Sequence, residues 1–203
     1  KDGGKPFRAL LRKVGGRKPA LSNGTETASL VERLRGAEFR ITDVVRKDRP
    51  RPPSPPYITS SLQQDASRLL RFSPTHTMAV AQRLYEGIDL GDEGRVGLIT
   101  YMRTDSVRLS AESLEESRAA ISQQFGPEYV PSKPRTYRNK RSAQDAHEAI
   151  RPTSAFRTPA QMKGVLERDD LKLYTLIYNR FMACQMNPAV YDQTTVDIGA
   201  ADA

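Results

Sequence analysis

Five of the eight residues from Arg49 to Pro56 are proline, and no helix or central strand can run unbroken through such a stretch. Each proline lacks a backbone N–H, fixes its own φ and biases the residue before it towards extended backbone. The stretch therefore divides the chain and reads as a linker or a rigid extended crossing between domains. On its amino side, Phe39 to Val45 alternates apolar and polar residues as a half-buried strand does. On its carboxyl side the pattern turns helical.

Start and stop signals organise that helical region. Ser61 with Gln64 forms a capping-box pattern ahead of a helix to about Leu70. Ser73-Pro74 opens a helix that Gly87 closes, and Ser110 opens one that Gly126-Pro127 closes. Thr158-Pro159 starts another, and Asp169 or Asp170 caps a long one through Met186, with Pro188 after it. Residues 143–150 read as a short helix halted at Arg151-Pro152. Towards the ends, Phe7 to Val14 and Tyr191 to Ile198 are strand-like, and Thr25 caps a helix that Gly36 stops. The expected class is α+β, mostly α, with a helical centre flanked by β pieces. No internal repeat is evident.

Composition narrows the function classes. A net charge of +8 suits a phosphate-rich partner, although solubility alone also explains it. A single cysteine, Cys184, excludes an internal disulfide and a cysteine-rich zinc site, and its apolar helical setting makes it a core residue. No apolar run reaches the length of a membrane span and no signal peptide is visible, so a cytoplasmic protein is expected. The sequence starts without Met and stops just after a strand, as an excised piece of a longer chain would.

The chemistry concentrates in two segments. Gly97 to Ser106 reads GLITYMRTDS, with Tyr101 two residues before Arg103 after a short β-branched run. On a strand those two side chains share a face. A phenol beside a guanidinium suits attack on a phosphate, because the guanidinium holds the phosphate oxygens and absorbs charge as the bond breaks. The alternative is a packed tyrosine with a satisfied hydroxyl, the usual state of this residue. The second segment, Gln144 to Pro152, reads QDAHEAIRP and contains His147, one of only two histidines. On a helix Gln144, His147 and Arg151 would share one face, and His147 would be a candidate proton carrier.

These two segments resemble the signature segments of type IA DNA topoisomerases, closest to bacterial DNA topoisomerase I. Thr59 to Gln64 (TSSLQQ), Ala81 to Glu86 (AQRLYE) and Ala183 to Met186 (ACQM) match the same family in the same order. The resemblance covers about residues 55–190 well. It implies a discontinuous β-rich arch domain, residues 1–58 and 189–203, around a helical catalytic domain at 59–188 with helix-turn-helix or winged-helix-like character. It also implies single-stranded DNA as substrate, cut by Tyr101 through a 5′-phosphotyrosyl link and rejoined to relax negative supercoils.

Under that resemblance Arg103 is catalytic and contacts DNA. His147 relays a proton or positions a group, unless it only satisfies a local hydrogen bond. Asp105 orients Arg103 and contributes to the DNA site, or is simply a turn residue. Arg151 contacts a DNA phosphate, and Glu148 lies off the His147 face as a structural residue. His76 is incidental. The family holds Mg²⁺ on acidic residues of a separate Toprim domain, and no comparable acidic pattern occurs here. Asp92-Glu93 and Asp169-Asp170 read as loop and cap residues. No metal ligand is therefore expected in this chain, whose site would be partial and inactive in relaxation alone. Its partners would be DNA and the Toprim domain of the same parent, a nucleoid-associated monomer. The competing readings are a DNA-binding module without catalysis and a topoisomerase III-like decatenase.

Overall fold

The computed structural model describes residues 6–139 and 147–201. The chain is a mixture of helix and strand with helix predominating, and it divides into two units. Lys1–Arg49 with Asp192–Ala203 form one unit, and Pro50–Tyr191 form the other.

The first unit contains helix α1, Gly24–Gly36, and most of strands β1, Glu38–Arg51, and β4, Ala189–Ala201. The cap of α1 is Asn23, whose side chain accepts from the Glu26 N–H at 2.9 Å, so the start lies two residues before the expected Thr25. β1 and β4 pair as a two-stranded sheet. Across it Thr42 Oγ1 donates to the Asp197 carbonyl at 3.2 Å, and Arg49 donates to the Gln193 side chain at 2.9 Å. β1 continues through Pro50, into the proline stretch. A strand in a pair has one edge without a partner, where a missing N–H costs nothing. Phe39, Ile41, Val44, Val196 and Ile198 lie exposed along this ribbon. The expected strand at Phe7–Val14 does not form; only an isolated bridge joins Val14 and Arg17.

The second unit is built on α2, Thr59–Asp65, α3, Pro74–Glu86, α4, Ala111–Phe125, and α5, Arg168–Cys184. Its core takes Leu62, Val80, Leu84, Ile121, Leu173, Ile177 and Phe181 from these helices, and Tyr57, Leu98, Ile99, Met102 and Ile150 from the segments between them. Ser73 caps α3 and Ser110 caps α4 as the sequence suggests. The helix after Tyr57 starts at Thr59, so Ser61 sits in its first turn and accepts from the Ile58 N–H at 3.1 Å. It widens into a π-helical turn, Ala66–Leu70, that ends at Arg71 in left-handed conformation.

One expected helix is absent, and another does not form over its described residues. At Thr158 the cap chemistry forms, since the Gln161 side chain accepts the Thr158 N–H at 2.7 Å. The turn does not propagate, because Gly164 turns left-handed at φ +92°. Residues 147–149 are not helical, and Ile150 bridges to Tyr57; 143–146 lie outside the described residues. α5 starts after Glu167, so Asp169 and Asp170 occupy its first turn instead of its cap.

Helices α3 and α5 are joined by charge as well as by packing. Arg83 meets Asp170, which is 4% exposed, at 2.5 Å, and His76 meets Asp169 at 3.0 Å. A carboxylate in the first turn also complements the positive end of the helix dipole.

Candidate active site

The segment that bears Tyr101 belongs to no strand, and it bends at Met102 and Arg103. Two short strands, β2, Ile88–Asp89, and β3, Arg95–Val96, pair just before it, and the ladder stops there. From Leu98 onwards the backbone hydrogen bonds go to loops and helix ends. Leu98 N–H donates to the Leu84 carbonyl at 2.7 Å, Thr100 N–H to the Arg151 carbonyl at 2.9 Å, and Thr153 N–H to the Leu98 carbonyl at 3.0 Å. The alternation of a strand nevertheless survives. Tyr101, Arg103 and Asp105 are exposed, whereas Met102, Thr104 and Ser106 are buried. The buried set anchors the segment in the core and leaves the other set facing outwards.

Glycine sets how close this segment comes to α3. A Cβ on Gly97 would stand 2.7 Å from the Tyr85 carbonyl oxygen, inside contact distance of fixed backbone. That approach lets the chain cross the last turn of α3, and it brings the rings of Tyr85 and Tyr101 edge to face at 5.4 Å. Tyr101 is 43% exposed, so solvent reaches it.

Threonines hold the segment on either side of Tyr101. The Thr100 hydroxyl donates to the Ala149 carbonyl at 2.7 Å and accepts from the Arg151 N–H at 3.0 Å. The Thr59 hydroxyl donates to the Met102 carbonyl at 2.7 Å and accepts from the Thr104 N–H at 2.9 Å. Further on, the Asn139 side chain accepts the Val107 N–H at 2.8 Å.

The second segment lies alongside the first. Ala149 N–H donates to the Arg108 carbonyl at 2.9 Å and Ile150 N–H to the Tyr57 carbonyl at 2.8 Å. Half-buried His147 thereby comes to stand with its ring 6.5 Å from that of Tyr101. The His147–Tyr101 juxtaposition rests on backbone hydrogen bonds between the two segments, with residues 147–149 not helical. Gln144 lies outside the described residues.

Arg103 and Arg151 differ sharply. Among the described residues no carboxylate or carbonyl engages the Arg103 guanidinium, and Arg103 is exposed, two residues along the chain from Tyr101. Arg151 has a side chain only 14% exposed, bound to Glu148 at 2.7 Å and, through Nη1, to the Pro152 carbonyl at 3.0 Å. Any DNA phosphate at Arg151 has to compete with that carboxylate. Glu148, expected off the His147 face as a structural residue, is the ion-pair partner of Arg151. Asp105 is exposed and makes no side-chain hydrogen bond among the described residues.

Beneath the site a polar network ties the segments to the helices. Tyr57 is 1% exposed and its hydroxyl donates to Asp65 at 2.8 Å. Arg180 binds the same carboxylate and lies over the Tyr57 ring at 4.3 Å. Burial, together with the neighbouring Asp65, pushes the Tyr57 phenol far above its ordinary range. Burial works against ionisation of Asp65, yet hydrogen bonds from Tyr57 and Arg68 and the charge of Arg180 outweigh it and hold the carboxyl below its usual range. Tyr174 is likewise pushed up by burial, and Tyr137 to about 12. These tyrosines are buried or half-buried, whereas Tyr101 is exposed.

A divalent cation would need several carboxylates or imidazoles converging on one point. Among the described residues no three His, Cys, Asp or Glu side chains do so, and the residues present do not fit a metal site.

Sequence reasoning singled out Tyr101, Arg103 and His147 as candidates and missed the supporting parts played by Thr59, Thr100, Asn139 and Gly97. Thr59 stands at the head of the TSSLQQ segment, which was the available signal. The hydroxyl partners of Thr100 and Asn139 lie tens of residues away and leave no trace in spacing.

Residues 5–203 match the family model described as DNA topoisomerase. A DNA topoisomerase 1 of Xylella fastidiosa strain Temecula1 is 47% identical over 203 residues, 97% of this chain and 25% of that protein. One of Campylobacter jejuni is 48% identical over 174 residues, 85% of this chain and 25% of that protein. The full-length topoisomerase I of Thermotoga maritima superposes with a TM-score of 0.73 at 37% identity, covering 94% of this chain and 29% of that one. The chain thus spans about a quarter of the length of the curated relatives it matches. With a family match over nearly its whole length and a matching structure at well-shared identity, the chain belongs to the type IA DNA topoisomerase family.

Proposed function

We propose that this chain is the tyrosine-bearing part of a longer topoisomerase and that Tyr101 is the nucleophile that cuts one DNA strand. The phenol oxygen attacks a backbone phosphorus, the bond from phosphorus to the 3′ oxygen breaks, and the protein becomes joined to the 5′ phosphate. The phenol proton leaves to a base, and the departing 3′ oxygen takes up a proton. Attack by the 3′ hydroxyl on the phosphotyrosine reverses both changes and reseals the strand. Passage of DNA through the break relaxes negative supercoils.

The observation that carries this reading is the outward-facing pair Tyr101 and Arg103, separated by buried Met102 and with no acidic partner on Arg103 among the described residues. Arg103 receives the phosphate oxygens and stabilises the charge that builds up on them. His147, at the edge of the Tyr101 ring, relays a proton or orients the phenol. Asp105, on the same side as Arg103, steadies the guanidinium. Arg151, held by Glu148, steadies the His147 segment and meets DNA phosphate only at its rim.

The substrate is single-stranded DNA at the cut, in keeping with the family resemblance of the Tyr101 and His147 segments. Mg²⁺ and the remaining acid–base groups are supplied by a Toprim domain of the parent, a monomer working on DNA in the cytoplasm. The chain alone therefore lacks relaxation activity.

The test uses the full-length parent with a single-stranded oligonucleotide labelled on the 3′ side of the cut. Denaturation should trap a labelled protein adduct in the wild type and none in Tyr101→Phe. An adduct that persists in Tyr101→Phe would remove the assignment.

A further inference from the structure

Thr59 occupies the first turn of α2, where a threonine hydroxyl ordinarily bonds within its own helix. Its neighbour Ser61 does that, donating to the Ile58 carbonyl at 3.1 Å. The Thr59 hydroxyl instead reaches 43 residues along the chain to the Met102 carbonyl. It also accepts the Thr104 N–H, while the Thr59 N–H donates to the Thr104 carbonyl at 2.9 Å.

The two groups gripped by the hydroxyl have a particular relation to the site. The Met102 carbonyl belongs to the peptide that precedes Arg103, and the Thr104 N–H belongs to the peptide that follows it. One hydroxyl thus fixes both peptide planes flanking Arg103, in a segment that has no strand ladder to do so. Met102 is 1% exposed and Thr104 6%, so neither group has water as a ready substitute.

We propose that Thr59 is a positioning residue for cleavage, acting through Arg103 by fixing the two peptides on either side of it. The inference rests on the reading of Tyr101 and Arg103 given above. Removing the hydroxyl leaves two buried polar groups without their partner, and the segment relaxes towards other ones. The backbone bond from Thr59 N–H to the Thr104 carbonyl survives the change, so α2 stays docked and the guanidinium alone is released from its orientation. Displacement of a catalytic group by about 1 Å costs ~100-fold in rate.

The experiment measures the single-turnover cleavage rate of the full-length parent at saturating single-stranded oligonucleotide, together with affinity for that oligonucleotide. Thr59→Val should cleave ~10–100-fold more slowly. Affinity should stay within about twofold and Thr59→Ser within about threefold of the wild-type rate, because serine keeps the hydroxyl. In an Arg103→Lys background the same Val change should cost less than about threefold, since the orientation it protects is already lost. Should Thr59→Val fail to fold, Thr59→Ala carries the same comparison. Undiminished cleavage, an equal penalty in both backgrounds, or a serine variant as slow as the valine one would each overturn the proposal. A wild-type adduct that survives in Tyr101→Phe would instead remove the nucleophile assignment, and the role of Thr59 with it.

Discussion

Thr100 and Arg151 hold each other by their backbones: the Thr100 N–H donates to the Arg151 carbonyl at 2.9 Å, and the Arg151 N–H returns to the Thr100 hydroxyl at 3.0 Å. Tyr101 is the next residue along one strand of this pairing, and His147 lies four residues back along the other. The relative position of the two side chains is therefore set by a hydroxyl that touches neither. Thr100→Val should lower stability by about 1–2 kcal/mol and slow cleavage in the full-length parent, because the Arg151 N–H loses its acceptor. Denaturant melts and the adduct assay read the two effects, and a variant with wild-type values in both would show that the pairing is dispensable.

Gly97 is tied to its place by the Tyr85 carbonyl, 2.7 Å from where a Cβ would stand. The obstacle is backbone, so it cannot rotate aside. Gly97→Ala should destabilise by ~1–3 kcal/mol as the segment is pushed off α3. It should also slow cleavage far more than its thermal shift suggests, since Tyr101 moves with the segment. A crystal structure of the variant with the 97–103 backbone unmoved would contradict this.

The arginines should differ in the salt dependence of DNA binding. Each phosphate contact steepens the fall of log K with log salt by about 1. Arg103→Gln should flatten the slope by about that amount. Arg151→Gln should leave it nearly unchanged, because Glu148 already neutralises that charge. Equal changes at both positions would mean that DNA displaces Glu148.

Acid sensitivity should trace partly to Asp65. Its carboxyl is held below the ordinary range in the fold, so the folded state binds its proton less readily than the unfolded chain does. The stabilisation it gives is complete above about pH 4, the ordinary carboxylate value, and is lost as pH falls through the lower folded value. Asp65→Asn should cost about 2 kcal/mol at neutral pH and flatten the pH dependence of the melting temperature below pH ~4. An unchanged acid limb would place the sensitivity in other carboxylates.

Chain punctuation was readable where its chemistry is local. Ser73-Pro74 and Ser110 cap the helices that follow them, as the sequence suggests. The failures have more than one cause, one local and one tertiary. Thr158 makes its capping contact, but the chain turns away at Gly164. His147 to Ile150 has the spacing of a helix face, yet its backbone N–H groups are taken by Arg108 and Tyr57. The alternating exposure of Tyr101 and Arg103 was legible because it needs only a period of two residues. Their support by Thr59, Thr100 and Asn139 depends on segments that meet only in the folded chain.

The alternation from Tyr101 to Ser106 gives a single stretch of backbone two masters. Odd-numbered side chains answer to the substrate and even-numbered ones to the packing beneath. A change at Met102 that the fold absorbs easily still shifts the phenol and the guanidinium that ride on either side of it. Drift in this part of the core is thus exposed to selection through turnover before it registers as unfolding. A new chemistry engineered at the surface would have to be refitted from the inside.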